Sequence, residues 1–224
     1  MILSIDSSAV TASAALTEGD KVIKSEFKNT GLTHSETLLP MIKSVMGDTP
    51  YSSLEAIAIT AGPGSFTGVR IGVATAKGLA FNYGIPCISV STLEAIAYNF
   101  VGKNCVVCAV MDARRMQFYN ALFTVEGNKV ERLTPDRAIA IEDLREELKA
   151  FDKVIIAGDG ARLCKENIAL ENTELAADDL IYQNAVAVAR AAQNKQKISH
   201  FALMPTYLRQ SQAERELKLK LKEE

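Results

Sequence analysis

The segment of this chain best suited to hold a ligand is Gly62-Pro63-Gly64-Ser65-Phe66-Thr67-Gly68-Val69-Arg70. It falls between an apolar β-branched run and a long helical pattern. Its glycines permit close backbone approach, and the start of the following helix offers unpaired N–H groups to an anion. No Gly-Lys-Ser/Thr follows, so it is not a Walker A loop. Gly62, Gly64 and Gly68 are spaced one residue too far for a dinucleotide fingerprint, and Ser65 lacks the flanking glycines of a nucleophile elbow. By spacing alone, an anion site and an ordinary tight turn are equal readings. Asp6 and Ser7, Asp112, and Gly158 stand at the ends of apolar runs, where they could face a nucleotide phosphate or its metal; each is also an ordinary strand-end turn. Catalytic sets are absent from the sequence. His34 and His200 are isolated, there is no His-x-x-x-His or His-Glu-x-x-His, and no Ser/His/Asp arrangement is recognisable. Cys105 and Cys108 have metal or redox spacing, but they lie in a run that reads as a strand, where positions i and i+3 point to opposite faces. The expected catalytic and metal sets are both empty.

Positioning these residues falls to a regular series of elements. Strands are predicted over Ile2–Asp6, Val10–Thr17 and Lys21–Phe27, then a helix from Thr33 to Gly47. Thr33-His34-Ser35-Glu36 reads as a capping box, and Pro40 should bend the helix it sits in. A strand at Leu54–Thr60, the glycine segment, a helix at Thr67–Tyr83, a strand at Ile85–Val90 and a helix at Thr92–Val101 complete the first half. The second half begins again with an apolar strand ending in Asp, Cys105–Asp112. It continues with strands at Gln117–Val125 and Lys129–Leu133, a helix at Ile141–Phe151, a strand at Val154–Ala157 and a helix at Asn184–Asn194. Ala15-Leu16-Thr17-Glu18-Gly19-Asp20-Lys21-Val22 and Ala121-Leu122-Phe123-Thr124-Val125-Glu126-Gly127-Asn128-Lys129-Val130 resemble each other, which supports a duplication. Tandem βββαβα lobes form the actin/Hsp70/sugar-kinase, ribonuclease H-like α/β architecture. The expected lobes are residues 1–102 and a reduced second lobe, 103–224, that ends in a charged tail.

Two helices carry more apolar surface than one sheet contact requires. From Thr67 to Tyr83 the only charges are Arg70 and Lys77, and Gly68, Gly72, Ala76 and Ala80 recur every fourth residue, a groove in which another backbone could lie. The helix from Thr33 carries Leu38, Met41, Ile42 and Val45 on a broad arc. Packing within the lobe would explain both, and so would a partner protein. On the second reading the partner-facing residues are His34, Leu38, Met41, Ile42, Val45, Val69, Gly72, Val73, Ala76 and Ala80.

Composition bounds the function. The 224 residues are 48% apolar and 23% charged, which suits a globular chain, and 25 Lys+Arg against 27 Asp+Glu leave a net charge of −2. That balance argues against unaided nucleic-acid binding. Arg114-Arg115 and Lys218, Lys220 and Lys222 are the only small basic groupings, and neither makes a footprint by itself. No signal-like start or membrane-length apolar run is present, so the expected location is cytoplasmic, without a membrane partner.

Ile5-Asp6-Ser7-Ser8, Thr33 to Ile42, Gly62 to Gly72, Val90-Ser91-Thr92-Leu93-Glu94, Met111-Asp112-Ala113-Arg114 and Pro205-Thr206-Tyr207-Leu208-Arg209 together resemble the bacterial TsaB (YeaZ) family. The resemblance implies a non-catalytic subunit needed to form threonylcarbamoyladenosine at position 37 of tRNAs that read codons beginning with A. It implies a TsaD-type transferase as partner, bound through helices of the first lobe, with a TsaE-type ATPase joining them. It also implies contact with tRNA only indirectly; without the transferase, the exposed apolar surface should drive homodimerisation. Where TsaD carries a His-x-x-x-His metal pair, this chain has Ser91-Thr92-Leu93-Glu94-Ala95-Ile96-Ala97, with no ligand. No cofactor is expected on the chain alone; ATP or ADP would sit at a complex interface. The alternative is a small ATP-dependent kinase or hydrolase of the same fold, using Asp6. A peptidase is disfavoured by the missing ligands.

Overall fold

A computed structural model describes residues 1–29 and 33–209. The charged tail at 212–224 lies outside the described residues. The first half contains β1 (Ile2–Asp6), β2 (Ala12–Glu18), β3 (Lys21–Lys28), α1 (His34–Met46), β4 (Ala56–Gly62), α2 (Phe66–Tyr83), β5 (Cys87–Ser91) and α3 (Thr92–Tyr98). The second contains β6 (Lys103–Asp112), β7 (Gln117–Gly127), β8 (Lys129–Arg132), β9 (Arg137–Ala140), α4 (Ile141–Leu148), β10 (Val154–Ala157), α5 (Ala161–Ile168), β11 (Thr173–Leu175) and α6 (Ala185–Ala192).

The two sheets share one plan. The first runs β3-β2-β1-β4-β5 and the second β8-β7-β6-β10-β11, with β9 as an extra partner of β7. In each, the opening strand is antiparallel to the next and parallel to the fourth. The equivalence is fuller than the sequence suggested, because α5 and β11 supply the second α/β unit that the expected second lobe lacked. The chain has the actin-like α/β fold.

Burial follows the side-chain periods. Leu3 and Ile5 of β1 and Ile57 and Ile59 of β4 meet Leu38, Met41 and Ile42 of α1 and Val69 and Val73 of α2 in one core. The other face of that sheet is covered from the far end of the chain. Ala56, Ala58, Ile88 and Val90 pack on Val188, Ala191 and Ala192 of α6, where alanines on both sides let helix and sheet approach closely. Reciprocally, Leu93, Ile96 and Ala97 of α3 pack in the core of the second sheet with Val107, Ala109 and Phe118. Each half thus sends its last helix onto the other, which ties the two sheets together.

Local details differ from expectation. Thr33 occupies the extended N-cap position of α1, but its side chain makes no capping bond, so the capping box is not formed. Instead the Glu36 N–H donates to Thr33 O at 3.0 Å and the Thr37 hydroxyl donates to the same oxygen at 3.3 Å. The helix runs through Pro40 to Met46. All four cysteines are free thiols, Cys105 half-buried and the others buried. Burial pushes the Cys87 thiol up to about 11 and that of Cys164 to about 12.

Candidate functional site

A cleft of about 500 Å³ opens between the carboxyl ends of β1 and β6. Gly64, Ser65, Phe66 and Thr67 wall one side, and Asp112, Ala113, Arg114 and Asp159 wall the other; Arg209 also lines it. This brings the glycine segment and two of the three strand ends, one through Asp112 and the other through Asp159 beside Gly158, to one place. The third, Asp6, lies beneath it with no exposed surface. Its Oδ1 accepts the hydroxyls of Ser8 at 2.7 Å and Thr60 at 2.6 Å, while Oδ2 has no partner. Burial raises the Asp6 carboxyl above the usual range, and those hydrogen bonds only partly oppose it. Asp6 is therefore closed off from any ligand in the cleft. Asp112 is exposed, and its Oδ1 accepts the Arg114 N–H at 2.6 Å.

A second carboxylate with a raised pKa is one that the sequence passed over, the residue after Gly158. Asp159 is half-buried on the cleft wall, and desolvation followed by repulsion from Asp112 pushes it to about 7. Its Oδ1 has no partner. The motif around it is tight because Gly158, at φ +117°, leans on the backbone of β6, where a Cβ would stand 1.9 Å from Val110 O. Gly158 is thus a packing residue, not a ligand contact.

The glycine segment is also wired internally. The Ser65 N–H donates to Ser8 O at 2.7 Å, and the Ser65 hydroxyl caps α2 by accepting the Gly68 N–H at 3.3 Å. Ser7 donates its hydroxyl to Gly68 O at 2.9 Å and is buried. Gly62 lies against Thr206 O and Gly64 against Ser8 O, each too close for a side chain. Of the expected anion-facing residues, only Gly64, Ser65 and Asp112 line the cleft; Asp6, Ser7, Gly62 and Gly158 do not.

The expected partner surface needs a similar correction. Leu38, Met41, Ile42, Val45, Val69, Val73, Ala76 and Ala80 are at most 3% exposed, and Gly72 is buried with them. The recurring small residues face inward. A Cβ on Gly68 would stand 2.1 Å from Ser7 O, and one on Gly72 would stand 2.3 Å from Ser7 Oγ. The groove is real, but the loop after β1 fills it. His34 points inward as well, its Nε2 donating to Ala9 O at 2.6 Å.

A strap formed by residues 198–209 covers one flank of α2. Ile198 pairs with Cys87 at the edge of β5, Leu203 is fully buried, and the Thr206 N–H donates to Ala61 O at 2.7 Å. The two lone cations of α2 hold this strap. Lys77 Nζ donates to Leu203 O at 3.1 Å, and Arg70 Nε donates to the Tyr207 hydroxyl at 2.7 Å. Seven-residue spacing was their only sequence signal. Outward-facing positions on the two helices include Leu39, Pro40 and Lys43 on α1, and Arg70, Ala74, Gly78 and Phe81 on α2 with half-exposed Ile71 and Thr75.

Comparison with known proteins places this geometry. The family model described as TsaD, tRNA N6-adenosine threonylcarbamoyltransferase, matches residues 28–220. The tRNA threonylcarbamoyladenosine biosynthesis protein TsaB of Bacillus subtilis (strain 168) is 32% identical, over 95% of this chain and 96% of that one. The chain belongs to the TsaB family. The TsaB of Escherichia coli (strain K12) is 36% identical over 58% of this chain and 57% of its own length. A crystal structure from Pseudomonas aeruginosa, of a protein described as similar to peptidase YeaZ, superposes with a TM-score of 0.79 at 25% identity, covering 93% of this chain and 99% of that one. Membership of the TsaB family carries a role in tRNA threonylcarbamoyladenosine biosynthesis.

The segment at residues 91–97 is tied down by polar contacts. Glu94 pairs with Lys195 Nζ at 2.8 Å and with Arg132 at 3.6 Å, and the Ser91 hydroxyl donates to Asp136 at 2.6 Å. These contacts cross between the two sheets. Among the described residues, no group of three His, Cys, Asp or Glu side chains could hold a metal ion. No helix among them is long and apolar enough to cross a membrane.

Proposed function

We propose that this TsaB-family chain is a non-catalytic subunit that supports a TsaD-type transferase, docking through the outward faces of α1 and α2. The observation that carries this reading is the outer face of α2. Ala74 and Gly78 are exposed, Ile71 and Thr75 are half-exposed, and a Cβ on Gly78 would meet nothing within 4 Å. No charge interrupts these four positions, and a second helix could approach them closely. The same face would pair two copies when the transferase is absent, and a TsaE-type ATPase would join the assembled pair. ATP or ADP would be held at the boundary of the complex. The enclosure of Asp6 supports that reading over ATP chemistry in this chain alone.

The test is co-purification with the transferase. Ala74→Glu and Gly78→Glu should leave the fold intact and reduce binding at least tenfold, with a matching loss of the modified adenosine in cellular tRNA. Undiminished binding by both folded variants would remove this face from the account. Val73→Glu and Ala76→Glu, which the sequence alone would select, enter the core and test folding instead.

A further inference from the structure

Arginines gather at the mouth of the cleft on a chain whose net charge is −2. Arg114 and Arg209 line it, and Arg209 Nη1 donates to Ala113 O at 2.7 Å, bracing the β6–β7 turn. Arg115 follows on that turn and is exposed. On the facing wall, Phe66 stacks on Tyr207 at 4.5 Å, with the Arg70 guanidinium 5.7 Å over one ring and 5.5 Å over the other. The acids facing this rim are Asp112, whose Oδ1 is engaged by the Arg114 N–H, and the half-buried Asp159.

The turn has a second peculiarity. Arg114, Arg115 and Met116 have φ of +64°, +57° and +55°, a left-handed stretch in which side chains are disfavoured. Glycine would suit each position better, yet two of the three are arginine. Separate guanidiniums beside an aromatic stack match phosphates joined to bases.

We propose that this mouth binds the sugar-phosphate backbone of tRNA directly, with Arg114, Arg115 and Arg209 on phosphates and the exposed part of Tyr207 against a base. The proposal rests on the role in tRNA biosynthesis and deepens it, because direct contact replaces the indirect one that the family resemblance implied. Few phosphates are involved, so the isolated chain should bind weakly, with a Kd on the order of 10⁻⁶ to 10⁻⁴ M at low salt.

The experiment is fluorescence anisotropy of labelled tRNA with the full-length chain, titrated across salt concentrations. The informative variant is Arg114→Gly/Arg115→Gly, which removes both charges while favouring the left-handed turn. Binding should fall about tenfold and the salt slope should decrease by about 1.5, with thermal stability equal or higher. Lys149→Ala/Lys153→Ala, at the opposite end of the second sheet, should change neither. No binding by the wild type at about 50 mM salt, wild-type binding by the glycine variant, or an equal loss in the lysine control would overturn the proposal. So would full displacement of tRNA by ADP or by an acidic peptide, since the mouth would then be reading a free nucleotide or any anion. The glycine variant should still co-purify with the transferase. Loss of transferase binding in Ala74→Glu with tRNA binding kept separates the two surfaces.

Discussion

Asp159→Asn should stabilise this protein above neutral pH, and the gain can be worked from the site. The Asp159 carboxyl is moved from an ordinary 3.8 to about 7 by burial first and by the Asp112 charge second. Between those values the folded chain holds a proton that the unfolded chain has released. Linkage then fixes the sign: stability is greatest below the unfolded value, falls as pH rises toward about 7, and is flat beyond it. A displacement of about 3 units at ~1.4 kcal/mol each makes ionised Asp159 cost about 4 kcal/mol at pH 8. Asparagine keeps an oxygen to accept from the Asp112 and Gly160 backbones, which now hydrogen-bond the carboxylate. It also presents an amide donor among acids. Asp6 is shifted in the same direction, so some pH dependence should survive the substitution.

Urea denaturation at a series of pH values between about 4.5 and 8 measures this directly. Wild-type stability should decline across the range, and the variant curve should be flatter and cross above it near neutrality. A gain of a few kcal/mol corresponds to roughly 2–4 °C in Tm for each, in a chain of this size. Parallel curves would mean that Asp159 is not held protonated. A variant less stable than wild type at pH 8 would mean that the ionised carboxylate has a favourable partner, and the electrostatic account of the cleft floor would fall.

Two further expectations concern α2. Gly68→Ala forces a methyl against the Ser7 carbonyl and should cost about 3 kcal/mol or more, whereas Gly78→Ala meets open space and should add roughly 0.5–1 kcal/mol. Equal effects in urea melts would contradict the inward and outward assignment of the two glycines. Lys77→Met removes the donor to the Phe201 and Leu203 carbonyls, so hydrogen exchange at Thr206 N–H should accelerate while exchange in β1 is unchanged. An unaltered Thr206 would show that the buried Leu203 side chain alone holds the strap.

The strands and long helices were legible because their periods are simple. β1, β4 and β6 are apolar runs of strand length, and α2 is a continuous pattern closed by Gly84 in a left-handed turn. α5 and β11 escaped notice for a physical reason. α5 buries only Ala161, Cys164 and Ile168, and β11 is three residues long, so neither contributes a pattern longer than chance. The strap escaped because its contacts lie more than a hundred residues away in sequence and consist mostly of backbone groups. In the cleft, strand-ending Asp6 and Asp112 were visible, but burial separates them into a sealed acid and an exposed one, and sequence does not report depth.

α2 shows what a pattern of small residues can and cannot say. Repetition of Gly68, Gly72, Ala76 and Ala80 correctly implies a close backbone approach, yet the spacing is indifferent to whether that backbone belongs to the same chain. Ser7, with its carbonyl and hydroxyl directly above Gly68 and Gly72, answers the question. Charge misleads in the same way. A cation on a helix ordinarily marks water, but Lys77 and Arg70 mark the path of residues 201–207. Once the loop and the strap are accounted for, Ala74 and Gly78 remain, small without any internal neighbour that requires it. At an exposed helix position, glycine costs about 1 kcal/mol relative to alanine. Gly78 is therefore the residue of α2 that the folded chain by itself leaves unexplained, and a closely packed partner helix is the arrangement that would account for it.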